Sequence, residues 1–129
     1  MGSCGSAQCI ETLLGTVAAG EVLEICVIPI RMGVGTREFA DLVGEVVERR
    51  KPAAVVLNLL EFTPHFGNEI PGIAKVIYDP DRRVVRPCAI VLRASRVPFA
   101  RAIADQIAGV ETFTDRETAI AYMRERMGF

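Results

Sequence analysis

The sequence has no excess of charge of one sign and no hydrophobic run long enough to cross a membrane. Its 129 residues include 15 lysines and arginines against 16 aspartates and glutamates, a formal net charge of −1. Nucleic acid and anionic lipid are bound through concentrated basic patches, so this balance argues against both as partners. Apolar runs such as 22–28 and 88–92 fall far short of the roughly 20 residues that a spanning helix needs. We therefore expect no nucleic-acid partner and no membrane span.

Closely spaced pairs of cysteines or histidines are also missing, which argues against a zinc site. Of the four cysteines, Cys26 and Cys88 lie in apolar, strand-like runs, and Cys4 and Cys9 lie in a leader of small residues. Cysteines that lie singly in the core or in a leader, without a spaced set of partners, are typical of a protein in a reducing compartment and not of a disulfide framework. The sequence therefore predicts a cytoplasmic protein that holds no metal and needs no cofactor.

The composition is that of a single globular domain. Hydrophobic residues make up 50% of the chain and charged residues 24%, which places it outside the disordered class. A chain of this length forms one core that buries about two-thirds of its unfolded surface. We expect a flexible leader over 1–9 and one domain over 10–129.

Hydrophobic periodicity predicts a β-hairpin followed by alternating helices and strands. Two apolar runs, 10–17 and 22–30, flank a glycine turn, as in a hairpin. Between 36 and 50, apolar residues recur at spacings of three and four, which predicts a helix that Lys51-Pro52 ends. The same criteria predict strands over 53–59, 88–92 and 110–113, and helices over 70–77, after Ser95 and after the capping-box motif Thr114-Asp115-Arg116-Glu117. The order β-β-α-β-α-β-α-β-α predicts an α/β fold with one mixed, mostly parallel five-stranded sheet and four helices.

A local cluster of arginines lies between two of these elements. Arg82, Arg83 and Arg86 stand beside Asp79 and Asp81. A short run of mixed charge is usually solvated, so we expect an exposed loop there and not a binding patch.

The element order, with Val55-Val56-Leu57-Asn58-Leu59 before the longest loop and the run 110–119 near the C terminus, resembles the STAS domain. That family comprises the anti-sigma factor antagonists and the cytoplasmic domains of sulfate transporters. The likeness extends from about Ile10 onward, and the run from 89–92 to Phe113 carries most of it. It implies a non-enzymatic regulatory or scaffold domain whose partner is a regulatory kinase, an anti-sigma factor or a related STAS protein, with a homodimer as a further candidate.

The resemblance also implies a phosphorylation switch, which this sequence lacks in its usual form. In the family, a serine in an Asp-Ser-Ser-Gly-like turn after the third strand accepts phosphate. Here that turn reads Phe66-Gly67-Asn68-Glu69, and Asn58 stands where an aspartate is usual. Neither Gly67 nor Asn68 can accept phosphate. Thr63 is an alternative modification site, unless its hydroxyl serves only the turn before Pro64.

The longest loop supplies the candidate contact residues for a partner or ligand. Apolar side chains gathered on a loop can mark an interface, although Phe62 and Phe66 can equally tuck against the core. The candidates are Thr63, His65, Phe66, Asn68, Glu69 and Ile70.

A glycine-containing turn before the first helix offers a second kind of site. Backbone N–H groups of such turns can hold phosphate, which makes Gly33, Gly35 and Thr36 candidate contacts. The turn lacks the Gly-Lys-Ser or Gly-Lys-Thr ending of a P-loop, so an ordinary turn is the other interpretation. Together with the longest loop it would make a small-molecule or phosphate-ligand domain, the alternative to protein binding.

Catalysis is the third hypothesis, and it depends on the only histidine. His65 is close in sequence to Glu61 and Asn68, so an acid–base site is conceivable. Nucleophilic catalysis also needs an orienting third group, which the sequence does not show. We therefore predict that the protein is not an enzyme.

Overall fold

Seven strands and two α-helices have defined bounds in the part of the chain that the computed structural model describes, which is residues 7–29, 36–61, 76–81, 83–98, 101 and 109–129. In chain order these elements are β1 (Ala7–Val17), β2 (Gly20–Pro29), α1 (Thr36–Arg50), β3 (Ala54–Asn58), β4 (Tyr78–Asp79), β5 (Val84–Val85), β6 (Cys88–Val91), β7 (Val110–Phe113) and α2 (Arg116–Met127).

Five of the strands form one mixed sheet in the order β1-β2-β3-β6-β7. The hairpin partners β1 and β2 are antiparallel, and every other neighbouring pair is parallel. This confirms the predicted α/β class and the mostly parallel five-stranded sheet. Strand β1 begins at Ala7, three residues before the predicted start, because Gln8 and Cys9 pair with Ile28 and Val27. Cys9 therefore belongs to the sheet.

Among the described residues, two α-helices have defined bounds, against the four predicted for the whole chain. Helix α1 begins and ends where the apolar stripe and Lys51-Pro52 predicted. Of the other two predicted helices, the described residues include only short pieces with helical backbone, at 76–77, 97–98 and 101. Ser95 lies inside a 3₁₀-helix, Ala94–Arg96, whose N-cap is Arg93, so Ser95 does not have the predicted capping role.

Residues 78–85 contain a second, two-stranded sheet that the sequence did not predict. Tyr78 pairs with Val85 and Asp79 with Val84, and both pairs are antiparallel. Arg83 is exposed, as expected of a solvated loop, but the prediction is wrong for Arg86, which is only 3% exposed. Arg82 lies outside the described residues.

Burial of Arg86 is possible because three acceptors surround its guanidinium. Its Nη2 lies 3.5 Å from the Asp79 Oδ2 atom, its Nε donates to the Pro52 carbonyl at 2.8 Å, and its Nη1 donates to the Val76 carbonyl. A buried cation is tolerated when it is paired and hydrogen-bonded in this way. Arg86 thereby fastens the β4–β5 hairpin to the segment that follows α1.

The core has two layers, one on each face of the sheet. Helix α1 covers one face, where Val43 and Val46 pack with Val55 and Leu57 of β3. Helix α2 covers the other face, where Met123 packs with residues that include Ala54, Val56, Ala89 and Val91. Every residue of β3 is buried, as expected of a parallel strand that is covered on both faces.

Candidate functional site

Most of the residues that the sequence predicts to contact a partner or ligand lie outside the described residues. Thr36 is the first residue of α1, and nothing is described of its side chain. The candidates outside the described residues are Gly33, Gly35, Thr63, His65, Phe66, Asn68, Glu69 and Ile70.

The sheet nevertheless fixes where both candidate segments depart. Strands β2 and β3 are parallel neighbours, with Cys26 opposite Asn58. The chain therefore leaves both strands at the same end of the sheet, and 30–35 and 62–75 each follow a strand that ends there. In open parallel sheets, ligands bind at the carboxyl ends of the strands. This carboxyl edge is the candidate functional site.

A buried carboxylate organises the carboxyl edge. Glu24 of β2 is only 3% exposed. Arg116, the first residue of α2, donates to it from Nε and Nη2, each at 2.7 Å, and Asn58 donates from Nδ2 at 3.0 Å. The Asn58 Oδ1 atom in turn accepts from the Leu60 backbone N–H at 3.1 Å. These contacts tie the start of α2 and the chain beyond β3 to the sheet.

Ionisation of Glu24 follows from these contacts. Burial raises the pKa of the Glu24 carboxyl, but hydrogen bonds from Arg116 and Asn58 outweigh burial and hold the pKa below its ordinary value. The same pairing raises the pKa of Arg116. Glu24 is therefore ionised at neutral pH, and both of its carboxylate oxygens accept hydrogen bonds. This arrangement favours a structural role for Glu24 over a role as a general base.

The sequence analysis missed Glu24, although the sequence carries a signal for it. Glu24 is a carboxylate within the apolar run 22–28, and a buried charge in a core strand needs a partner. Asn58 was recognised as the polar member of β3, but only as a departure from the family pattern. The sequence named Arg116 only within a capping box, and the cap itself is Asp115, whose Oδ2 accepts from the Thr118 N–H at 2.9 Å, so Thr114 is not the cap.

The described cysteines are poor nucleophiles. Burial raises the pKa of Cys88 to about 12 and that of Cys9 to about 11. Burial, and then the charges of Glu24 and Glu61, raise the pKa of Cys26, which stands next to the buried carboxylate. Because the thiolate is the reactive form, all three thiols are held in their inert form at neutral pH.

We predict slow alkylation of Cys9 in the folded protein. At pH 7.5 a thiol with a pKa near 11 has roughly 100-fold less thiolate than an unperturbed thiol, so iodoacetamide should modify Cys9 at least about 100-fold more slowly than after unfolding. Peptide mass spectrometry of time points from native and urea-unfolded samples measures both rates. Equal rates in the two samples would show that Cys9 is not shielded as described.

A surface ion-pair network joins the last turn of α1 to the β1–β2 hairpin. Arg50 Nη1 lies 3.1 Å from Glu11 Oε1, and Arg50 Nη2 lies 3.1 Å from Glu21 Oε1. Arg49 also pairs with Glu11. These partly exposed pairs link the helix to the outer edge of the sheet, and solvent screening limits the stability that they contribute.

Large apolar side chains remain exposed at two places. Ile10 and Leu13 lie on the outer strand β1, and Tyr78, Val84 and Val85 lie on the β4–β5 hairpin. Between this hairpin and α1 is an open cavity of about 640 Å³, which we call the α1 groove. Its lining residues are Asp41, Gly44, Glu45, Val47, Glu48, Tyr78 and Pro80.

The residues with described positions contain no group of three or more histidine, cysteine, aspartate or glutamate side chains that could hold a metal ion. No helix in the same part of the chain is long and apolar enough to cross a membrane.

Comparison with known proteins gives no relative. No family model matches the chain, and neither does any curated protein or solved structure. The resemblance to the STAS domain therefore depends on the sequence pattern alone.

Proposed function

We propose that this chain is a non-enzymatic regulatory or scaffold domain that binds a protein partner. The observation that carries the proposal is the exposure of five large apolar side chains, which is 43% for Ile10, 52% for Leu13, 51% for Tyr78, 50% for Val84 and 42% for Val85. Two lie on the outer strand, where Ile10 and Leu13 face opposite sides, and three lie on one hairpin, where Tyr78 and Val85 are cross-strand partners on the same face. Grouped apolar exposure is a feature of protein contact surfaces.

The partner classes come from the resemblance to the STAS domain. They are a regulatory kinase, an anti-sigma factor or a related STAS protein, with a homodimer as a further candidate. The proposal includes a STAS-like chain order with four helices, a cytoplasmic location, and contact through Thr63, His65, Phe66, Asn68, Glu69 and Ile70. The anchoring of Glu24 supports it, because it fixes the end of β3, from which that loop departs, and a rigid point of attachment lowers the entropic cost of binding.

Site-specific photo-crosslinking in the native host tests the proposal. The photoreactive residue p-benzoylphenylalanine replaces Leu13, Tyr78 or Phe66, one position at a time, and mass spectrometry identifies the adducts. We expect a specific protein adduct from at least one of these positions. The control places the same residue at Glu125, which is exposed on α2 and far from the apolar groups in sequence.

The control decides the outcome. An adduct that forms equally from Glu125 would reflect random collision, and the absence of any position-specific adduct would contradict protein binding. Because Phe66 belongs to the loop and Leu13 and Tyr78 belong to other surfaces, the pattern also identifies which surface makes contact.

A small-molecule or phosphate ligand at the carboxyl edge is the second candidate function. The observation in its favour is that the N-terminus of α2, with Arg116, lies at the same edge as the ends of β2 and β3, and helix N-termini favour anions. A thermal-shift screen with inorganic phosphate, nucleotides and phosphorylated sugars tests it. Stabilisation that disappears in Gly35→Val would support this function, and no shift with any compound would count against it.

A further inference from the structure

We propose that the α1 groove binds a basic protein segment that inserts one apolar side chain between flanking lysines or arginines. The inference rests on the proposed protein-binding function and specifies a surface and a partner chemistry for it. This surface is separate from the longest loop, which the sequence predicts to contact a partner.

One wall of the groove is a face of α1. Asp41, Gly44, Glu45 and Glu48 recur at spacings of three, four and seven, so they lie on one side of the helix. Gly44 stands in the middle of this row and has no side chain, which leaves a notch between the acidic neighbours. Val47 contributes to the lining and is itself buried. The wall is thus apolar at its base and acidic at its rim.

The other wall is the β4–β5 hairpin. Tyr78 lines the groove and is half exposed, next to the exposed Pro80. Its cross-strand partner Val85 lies on the same face of the hairpin and continues the apolar surface beyond the groove. An aromatic side chain with a free face can pack on an apolar anchor and can also attract a guanidinium.

Two contacts connect the walls. Arg86, which is paired with Asp79 of the hairpin, donates from Nε to the carbonyl of Pro52 in the segment that follows α1. Lys51, which follows α1, bridges to Asp81 in the hairpin turn with its Nζ 2.9 Å from Oδ2. A groove with walls fixed before binding loses less entropy when it is filled.

The negative charge of the groove's rim determines which kind of protein segment can bind. Glu45 and Glu48 are both exposed, and neither forms a salt bridge to any residue that the structure describes. Their nearest cationic neighbours, Arg49 and Lys51, act on them only through space, and exposed carboxylates beside an apolar cleft favour lysine or arginine on the incoming segment and repel acidic ones. A volume of about 640 Å³ accommodates one large side chain with its neighbours, and it is within the ordinary range for binding clefts, about 300–1,000 Å³.

Selection of peptides from a random library tests the inference. Phage-displayed dodecapeptides are selected on the full chain, and the winners are synthesised with a fluorescent label for anisotropy titration. We expect winners that share an apolar residue flanked by at least two lysines or arginines. Their affinity should fall at least about 10-fold for the double variant Glu45→Lys/Glu48→Lys and for Tyr78→Ala.

Matched controls separate the groove from general effects. Glu111→Lys/Glu125→Lys makes the same charge change at exposed positions on β7 and α2 and should bind as the wild type does. Leu13→Ala removes an equally exposed apolar side chain from the other candidate surface and reports whether the winners bind there instead. Thermal unfolding of Tyr78→Ala shows whether the hairpin stays folded in this variant. If the hairpin unfolds, the variant Glu45→Lys/Glu48→Lys, which alters only exposed positions of α1, tests the inference by itself.

The possible outcomes distinguish this inference from the proposed function. Winners without basic residues, no winners at all, or winners whose affinity is unchanged in both groove variants would overturn it. If those winners instead lose affinity in Leu13→Ala, or if the photo-crosslinks form only from Leu13 or Phe66, the domain still binds protein, but through another surface.

Discussion

Replacing Arg86 by methionine lowers the free energy of unfolding by about 3 to 5 kcal/mol, the usual cost of removing one partner from a buried ion pair. The side chains of Arg86 and Asp79 are only 2% and 6% exposed. The substitution also removes the donors that satisfy the Pro52 and Val76 carbonyls, and each buried acceptor left unsatisfied costs about 1 to 3 kcal/mol. The loss should therefore approach the upper end of the range.

Urea denaturation followed by far-UV circular dichroism measures this effect. The control is Arg83→Met, which removes an exposed arginine from the same hairpin and should change the free energy of unfolding by no more than about 0.5 kcal/mol. The double variant Asp79→Asn/Arg86→Met should lose less than the sum of the two single variants, because the pair is coupled. If Arg86→Met is as mild as Arg83→Met, the guanidinium is not buried as described.

Replacing Arg116 by methionine lowers the free energy of unfolding by about 2 to 3 kcal/mol at pH 7. Glu24 is only 4% exposed as a side chain and loses both hydrogen bonds from Arg116. The expected cost is smaller than for Arg86, because 41% of the Arg116 side chain is already in contact with solvent and partial exposure weakens an ion pair.

The pH dependence identifies Glu24 as the cause. In the wild type the pKa of Glu24 is lowered in the folded state, so the pair stabilises the fold above the ordinary carboxyl pKa, about 4.3, and this stability is lost as the pH falls through the folded-state pKa. Without Arg116, burial prevails and raises that pKa, so protonation relieves the buried charge. The deficit of Arg116→Met should therefore shrink between pH 7 and pH 5.

Two comparisons make this result decisive. Arg126→Met removes an exposed arginine from the other end of α2 and should show a small deficit that does not change with pH. Adding Glu24→Gln to Arg116→Met should restore part of the stability at pH 7 and abolish the pH dependence. A deficit that is the same at pH 5 and pH 7 would show that Glu24 is not the group that responds.

The sequence was most informative where structure is set by near neighbours. The bounds of α1 follow from a stripe of apolar residues and from Lys51-Pro52, and those of β7 from a short apolar run after Gly109. The start of α2 was also close to the prediction, although the capping residue is Asp115, one position later than predicted. These signals act within a few residues along the chain, so one sequence is enough to recognise them.

The sequence was least informative where a polar residue is satisfied from far along the chain. Local charge density predicted that Arg86 is solvated, but one of its acceptors is the carbonyl of Pro52, 34 positions away. Arg116 meets Glu24 across 92 positions. No spacing rule brings such residues together, because the contact exists only after the sheet has ordered its strands. Topology predicted that neighbouring parallel strands end at one edge of the sheet, but it did not predict the residues that organise this edge.

The central claim is that the exposed apolar groups hold another protein. Isothermal titration calorimetry of the partner identified by crosslinking, against the wild type, Leu13→Ala, Tyr78→Ala and Glu125→Ala, tests it most directly. We predict that at least one of the first two substitutions raises the dissociation constant at least about 10-fold, while Glu125→Ala leaves it unchanged. Equal dissociation constants for all four proteins would contradict the claim.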